Sequence, residues 1–95
     1  MLREININFS SVAKKQIKKL PKNIVEAIEI WATSLYEVGL NKTRMKSGYH
    51  DEPLKGKREG QRSIRLNRSY RLIYEETVDG LVIYIIVIEV NKHEY

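Results

Sequence analysis

The sequence predicts an α+β domain in which a two-helix hairpin covers one face of a mostly antiparallel sheet. Three observations lead there. The chain opens on an alternating apolar segment, continues with two helix-period segments that meet at a proline, and ends in short apolar segments separated by turn residues. Its 95 residues suit one domain, expected to span residues 1–95.

Ile5, Ile7 and Phe9 alternate with Asn6 and Asn8, the period-2 pattern of a half-buried strand ending near Phe9. Ser10 or Ser11 is placed to cap a helix whose Val12, Ala13, Ile17 and Leu20 share a face, while Lys14, Lys15, Lys18 and Lys19 point away. Pro21 ends or redirects it. Asn23 and Glu26 resemble a capping box for a second helix, in which Ile24, Ala27, Ile28, Trp31, Leu35 and Val38 keep helical spacing up to Gly39. Residues 40–60, with Gly48, Gly56, Gly60 and Pro53 among many charges, read mostly as loop.

A three-stranded antiparallel meander follows. Ile64, Leu66, Tyr70, Leu72 and Tyr74 fall on one face only if two strands meet through a three-residue turn, Asn67-Arg68-Ser69. That register pairs Leu66 with Tyr70 and sets Arg65 opposite Arg71 on the other face, with Ser63 and Gln61 beyond. Two facing guanidinium groups repel unless an anion lies between them, so this face is a candidate phosphate site. Asp79-Gly80 is a hairpin turn into the last strand, Leu81 to Val90, whose apolar residues on both faces predict a buried, central position.

Composition narrows the function. A chain that is 42% hydrophobic and 31% charged can build a core and keep a solvated surface, so neither disorder nor a membrane protein is expected. The longest apolar run, Leu81 to Ile88, is far short of the roughly 20 residues a spanning helix needs. The polar, acidic start of the chain lacks the apolar stretch of a signal peptide. No cysteine is present, which excludes disulfides and thiolate chemistry and suits a cytoplasmic protein. The net charge of +5 favours a polyanionic or acidic partner.

Between Lys42 and Arg71 stand ten basic residues against three acidic ones, among them Lys55, Lys57, Arg58, Arg62 and Arg65. Basic stretches of this kind neutralise phosphates, and Tyr49, Tyr70, Tyr74 and Tyr95 would supply stacking surfaces unless they serve the core. A solvated basic face, or one that meets an acidic protein, is the competing reading. His50 and His93, beside Asp51, Glu52 and Glu94, match no standard zinc spacing, and no phosphate-binding glycine loop or nucleophile elbow is present, so no metal or cofactor is expected. What remains is metal-free acid and base chemistry at phosphate. Cleaving RNA through its 2′-hydroxyl needs a base, an acid and a cation, and Glu52, His93 and Arg71 are of the right types.

Glu52-Pro53-Leu54-Lys55-Gly56, Gly60-Gln61-Arg62-Ser63-Ile64-Arg65, Tyr70-Arg71-Leu72-Ile73-Tyr74 and the ending Asn91-Lys92-His93-Glu94-Tyr95 together resemble the RelE/ParE superfamily of bacterial type II toxins, nearest to the YoeB-like pattern of ribosome-dependent mRNA interferases. The resemblance covers the second half in motif and the whole chain in element order. It implies a RelE-like fold, with Glu52 as general base, Arg71 stabilising the phosphorane, His93 as general acid, Tyr95 orienting or stacking the nucleotide, and Lys55 and Arg65 on flanking phosphates. His50 is the reserve base, because related branches carry a histidine at the position of Glu52. Glu94 separates His93 from Tyr95, although the YoeB-like tail has them adjacent. The implied partners are a cognate antitoxin, the ribosome and its mRNA, and the free toxin is expected to be monomeric. Two alternatives stand beside this one: a ParE-like DNA gyrase inhibitor without nuclease activity, and a non-catalytic RNA-binding domain.

Overall fold

The computed structural model describes residues 4–92. Strand β1 (Glu4–Phe9) leads into helix α1 (Ser11–Ile17) and helix α2 (Lys22–Arg44). A 3-10 turn (Ser47–Tyr49), strand β2 (Glu52–Pro53) and a second 3-10 turn (Gly56–Arg58) follow, and then strands β3 (Gln61–Arg65), β4 (Tyr70–Asp79) and β5 (Val82–Lys92). The five strands form one sheet in the order β1-β5-β4-β3-β2. All neighbours are antiparallel except β1 and β5, which run parallel. The fold class and element order are those expected. The two-residue strand β2 is an addition that a stretch containing Pro53 conceals, and an edge position is where a strand tolerates a residue without an N–H.

The turn-derived register holds residue for residue: Ile64 faces Leu72, Arg65 faces Arg71, and the Leu66 amide donates to Tyr70 at 2.9 Å. Ala13, Ile28, Trp31, Leu35 and Leu40 from the helices pack on Ile64, Leu72, Tyr74, Ile85, Val87 and Val90 from the sheet. The Trp31 and Tyr74 rings meet with centroids 5.3 Å apart and planes at 53°, a tilted contact suited to their quadrupoles.

Helix α1 begins as read. Ser10 caps it by accepting from the Ala13 amide at 3.0 Å, and its hydroxyl also donates to the Ile88 carbonyl at 2.6 Å. Near this point β5 bulges: the partners of Ile73 and Tyr74 are Glu89 and Val87, which leaves Ile88 as the extra residue. Backbone groups beyond the end of β1 are taken up by α1, with Gln16 accepting from the Val90 amide at 2.7 Å.

Several local expectations are corrected. Val12 and Val38 belong to no buried face and are 54% and 42% exposed. Asn23 and Glu26 form no capping box, because α2 starts two residues earlier, with Pro21 at its N-cap and no side-chain cap bond. Gly39 does not end α2 but breaks it: φ 86° and ψ 172° interrupt the helix, and a further turn through Leu40, Thr43 and Arg44 resumes beyond. Part of the stretch read as loop is therefore helical. Strand β5 is flanked on both sides as expected but covered on one face only, since Tyr84 and Ile86 stay 36% and 41% exposed on the other. Among the described residues no helix is long and apolar enough to cross a membrane.

The break at Gly39 requires a conformation essentially confined to glycine. No atom stands within 4 Å of where a Cβ would be, so the penalty of a side chain is purely one of backbone strain. Gly39→Ala is expected to lower stability by about 1–3 kcal/mol. Thermal unfolding followed by circular dichroism checks this, and an unchanged melting temperature would show that α2 can straighten without loss.

Candidate active site

The uncovered face of the sheet carries the polar residues. Side chains that pair across neighbouring strands share a face, so the registers place Glu52, Ser63, Ile73 and Glu89 in one transverse row and Arg65, Arg71 and Asn91 in the next. Glu52 sits on β2 and Arg71 on β4, two strands across and two residues along, roughly 12 Å in the sheet plane. Arg71 Nη2 nevertheless comes to 3.5 Å of Glu52 Oε1. The side chain between them is Ser63, short enough to let an arginine reach across. Both charged side chains are accessible, Arg71 at 36% and Glu52 at 59%. An ion pair this long and this exposed contributes about 0–1 kcal/mol, so stability does not explain it.

Arg65 stays exposed, and with Lys46, Gly48, Tyr49 and Leu66 it lines a groove of about 290 Å³. Lys55 and Lys57 are exposed around the second 3-10 turn. Two of the expected phosphate ligands are engaged elsewhere. Arg58 is ion-paired with Glu89 and donates to Gln61 Oε1 at 2.9 Å. Arg62 lies on the opposite face of the sheet, opposite Tyr74, where its Nε donates to Asp51 at 2.6 Å. Tyr74 is fully buried and is a core residue, not a stacking surface. His50 is exposed, in a left-handed conformation (φ 46°) two residues before Glu52. His93 and Tyr95 lie outside the described residues; β5 is described to Lys92, which pairs with Tyr70 beside the Arg71–Asn91 pair.

Behind Glu52, on the helix side of the sheet, lies a polar cluster the sequence reading missed. Asp51, only 2% exposed at its side chain, accepts from Arg62 and, at 2.6 Å, from the Tyr74 hydroxyl. Arg44 bonds Glu76 at 2.6 Å and Tyr74 at 3.2 Å, with its Nε 3.7 Å from Asp51. Burial, together with the hydrogen bond to Asp51, pushes the Tyr74 phenol well above its ordinary range, so it stays a protonated donor. A signal for this cluster was available: the alternation along β3 puts Arg62 on the same face as Ile64, and an arginine on a core face needs a carboxylate. Among the described residues no group of three acidic or histidine side chains gathers in a way that could hold a metal ion.

One mixed sheet backed by a two-helix layer is an architecture also found in solved bacterial toxins. The chain shares its fold with solved toxins described as YoeB/ParE, YafQ, RelBE2 and YoeB. It is similar to the YoeB dimer from Staphylococcus aureus, with 28% identity, 97% of this chain and 99% of the other covered, and a TM-score of 0.67. The YoeB/ParE toxin from Agrobacterium tumefaciens matches with 20% identity, coverages of 94% and 99%, and a TM-score of 0.73. YafQ in the E. coli DinJ-YafQ toxin-antitoxin complex matches with 21% identity, coverages of 95% and 93%, and a TM-score of 0.69. No family model and no curated protein sequence matches the chain.

Proposed function

We propose that this protein is the toxin of a type II toxin-antitoxin pair and that it cleaves mRNA on the ribosome. Its partners are then a cognate antitoxin, the ribosome and the message. The observation that carries the reading is the Glu52–Arg71 pair at 3.5 Å on an open face, with exposed Arg65 directly across from Arg71. Likeness to toxins solved with their antitoxins supports the partner.

The chemistry follows from the residue types. The Glu52 carboxylate takes the proton of a ribose 2′-hydroxyl, and the freed oxygen attacks the adjacent phosphorus. The Arg71 guanidinium offsets the negative charge that builds on the phosphorane oxygens, and the weakness of its exposed pair with Glu52 lets a phosphate displace that carboxylate at little cost. His93 gives a proton to the departing 5′-oxygen, leaving a 2′,3′-cyclic phosphate and a 5′-hydroxyl, while Tyr95 stacks on a base. Arg65 and Lys55 hold neighbouring phosphates. The ribosome contributes by fixing the message in an attack geometry, so that few protein groups suffice.

Primer extension on a reporter message in a purified translation system, with and without ribosomes, tests the reading. Ribosome-dependent cuts are expected from the wild type, and Arg71→Ala should slow them by about 10²–10³-fold, the loss typical of a transition-state charge stabiliser. An intact message alongside growth arrest in cells would point instead to gyrase, tested by a supercoiling assay.

A further inference from the structure

We propose that Asp51 is a positioning residue: its buried carboxylate, held by Arg62 and Tyr74, tethers β2 to the sheet and so sets Glu52 within reach of Arg71. The inference rests on the reading of Glu52 and Arg71 as the reacting pair. Strand β2 is two residues long, lies at the sheet edge and contains a proline, so backbone pairing alone holds it weakly. Just beyond it, Leu54 donates to the Gln61 carbonyl at 2.9 Å. Consecutive residues of an extended segment point to opposite sides. Asp51 therefore turns inward and is 2% exposed, while Glu52 turns outward and is 59% exposed.

The anchors of Asp51 belong to rigid parts of the fold. Arg62 stands on β3 and Tyr74 on β4, facing each other in the ladder, and each reaches Asp51 at 2.6 Å. Tyr74 is itself clamped by Trp31. Arg44, brought in by the helical turn after Gly39, adds its charge at 3.7 Å and takes Glu76 as its own counter-ion. Two carboxylates thus balance two guanidinium groups in a half-buried cluster, and Asp51 is the member next in sequence to the proposed base. Pulling the segment inward at residue 51 is what presents residue 52 on the open face.

The test compares Asp51→Ala, Asp51→Asn and Tyr74→Phe in ribosome-dependent cleavage and in backbone amide exchange. Tyr74→Phe keeps the ring against Trp31 and deletes one anchor, so it reports even if Asp51→Ala folds poorly. For Asp51→Ala, kcat should fall by about 10²-fold, as for a reacting group displaced by an ångström. KM should stay within about threefold, since binding groups are untouched. Asp51→Asn, which keeps an acceptor oxygen for Arg62, should recover part of the loss. Exchange of the Leu54 amide should quicken by about tenfold or more in Asp51→Ala and Tyr74→Phe, while that of Leu72 in the core stays slow. Cleavage unchanged in a folded Asp51→Ala protein, or an unchanged Leu54 amide in folded Asp51→Ala or Tyr74→Phe protein, overturns the proposal. If wild-type protein leaves the message intact, the nuclease reading falls, and Leu54 exchange alone then decides whether Asp51 tethers β2.

Discussion

Glu52→Gln is expected to slow single-turnover cleavage of ribosome-bound message by about 10²–10⁴-fold, the contribution of a positioned general base. Glutamine keeps the shape and an oxygen that can still accept from Arg71, whose Nη2 is 3.5 Å from Glu52 Oε1, so the substitution removes little but the proton-accepting capacity. Ribosome affinity should be unchanged, because Arg65 and Lys55 remain exposed for phosphate contacts. In cells the variant should relieve growth arrest while staying soluble. Full-rate cleavage would transfer the base role, and His50, exposed two residues upstream, is the group to substitute next.

Trp31→Ala is expected to cost about 3–5 kcal/mol of stability, measured by urea or thermal unfolding. A domain of this size has only about 5–15 kcal/mol in total, so the variant should be largely unfolded or sharply destabilised at physiological temperature. Trp31 is 1% exposed, and it packs on Tyr74 at a centroid distance of 5.3 Å. Its removal therefore opens a cavity and also frees the ring whose hydroxyl holds Asp51 at 2.6 Å. Trp31→Phe, which fills much of the space, should lose less than half as much; equal losses from the two would mean that the indole's size is not what the core uses.

Much of the fold was legible because it is written in short-range patterns. Alternation at Ile5, Ile7 and Phe9, and a turn whose length forced Arg65 opposite Arg71, each involve residues within a few positions of one another. The parallel pairing of β1 with β5 has no such local signature, since parallel ladders join distant segments. Strand β2 was hidden because two residues with a proline carry no period. Gly39 signalled a helix end, and the distinction between an end and a break depends on whether Leu40 and Thr43 find burial beyond it, which they do. Apolar residues on both faces of β5 marked it as buried and central; it is central, yet Tyr84 and Ile86 face the uncovered side.

The candidate site was legible in part for the same reason. Arg65 and Arg71 followed from the register and were paired as read, whereas the meeting of Glu52 with Arg71 came from resemblance and depends on β2 and the small Ser63. Arg58 and Arg62 were grouped with the phosphate ligands on charge alone. Their acidic partners, Glu89 and Asp51, lie 31 and 11 residues away and become visible only when the sheet is assembled.

The parallel pairing also orders events in time. Every residue of β1 from Glu4 to Phe9 takes its partner from Val82 to Val87, so a chain emerging from its first residue holds β1 without a neighbour until β5 has been made. Until then Ile85, Val87 and Val90, which close the core beneath Ala13 and Trp31, are missing, and the helices have an apolar face with nothing against it. The sheet completes only after almost all of residues 4–92 is free to move together. Glu52 and Arg71 are thus made before the strand that joins β1 to the rest of their sheet.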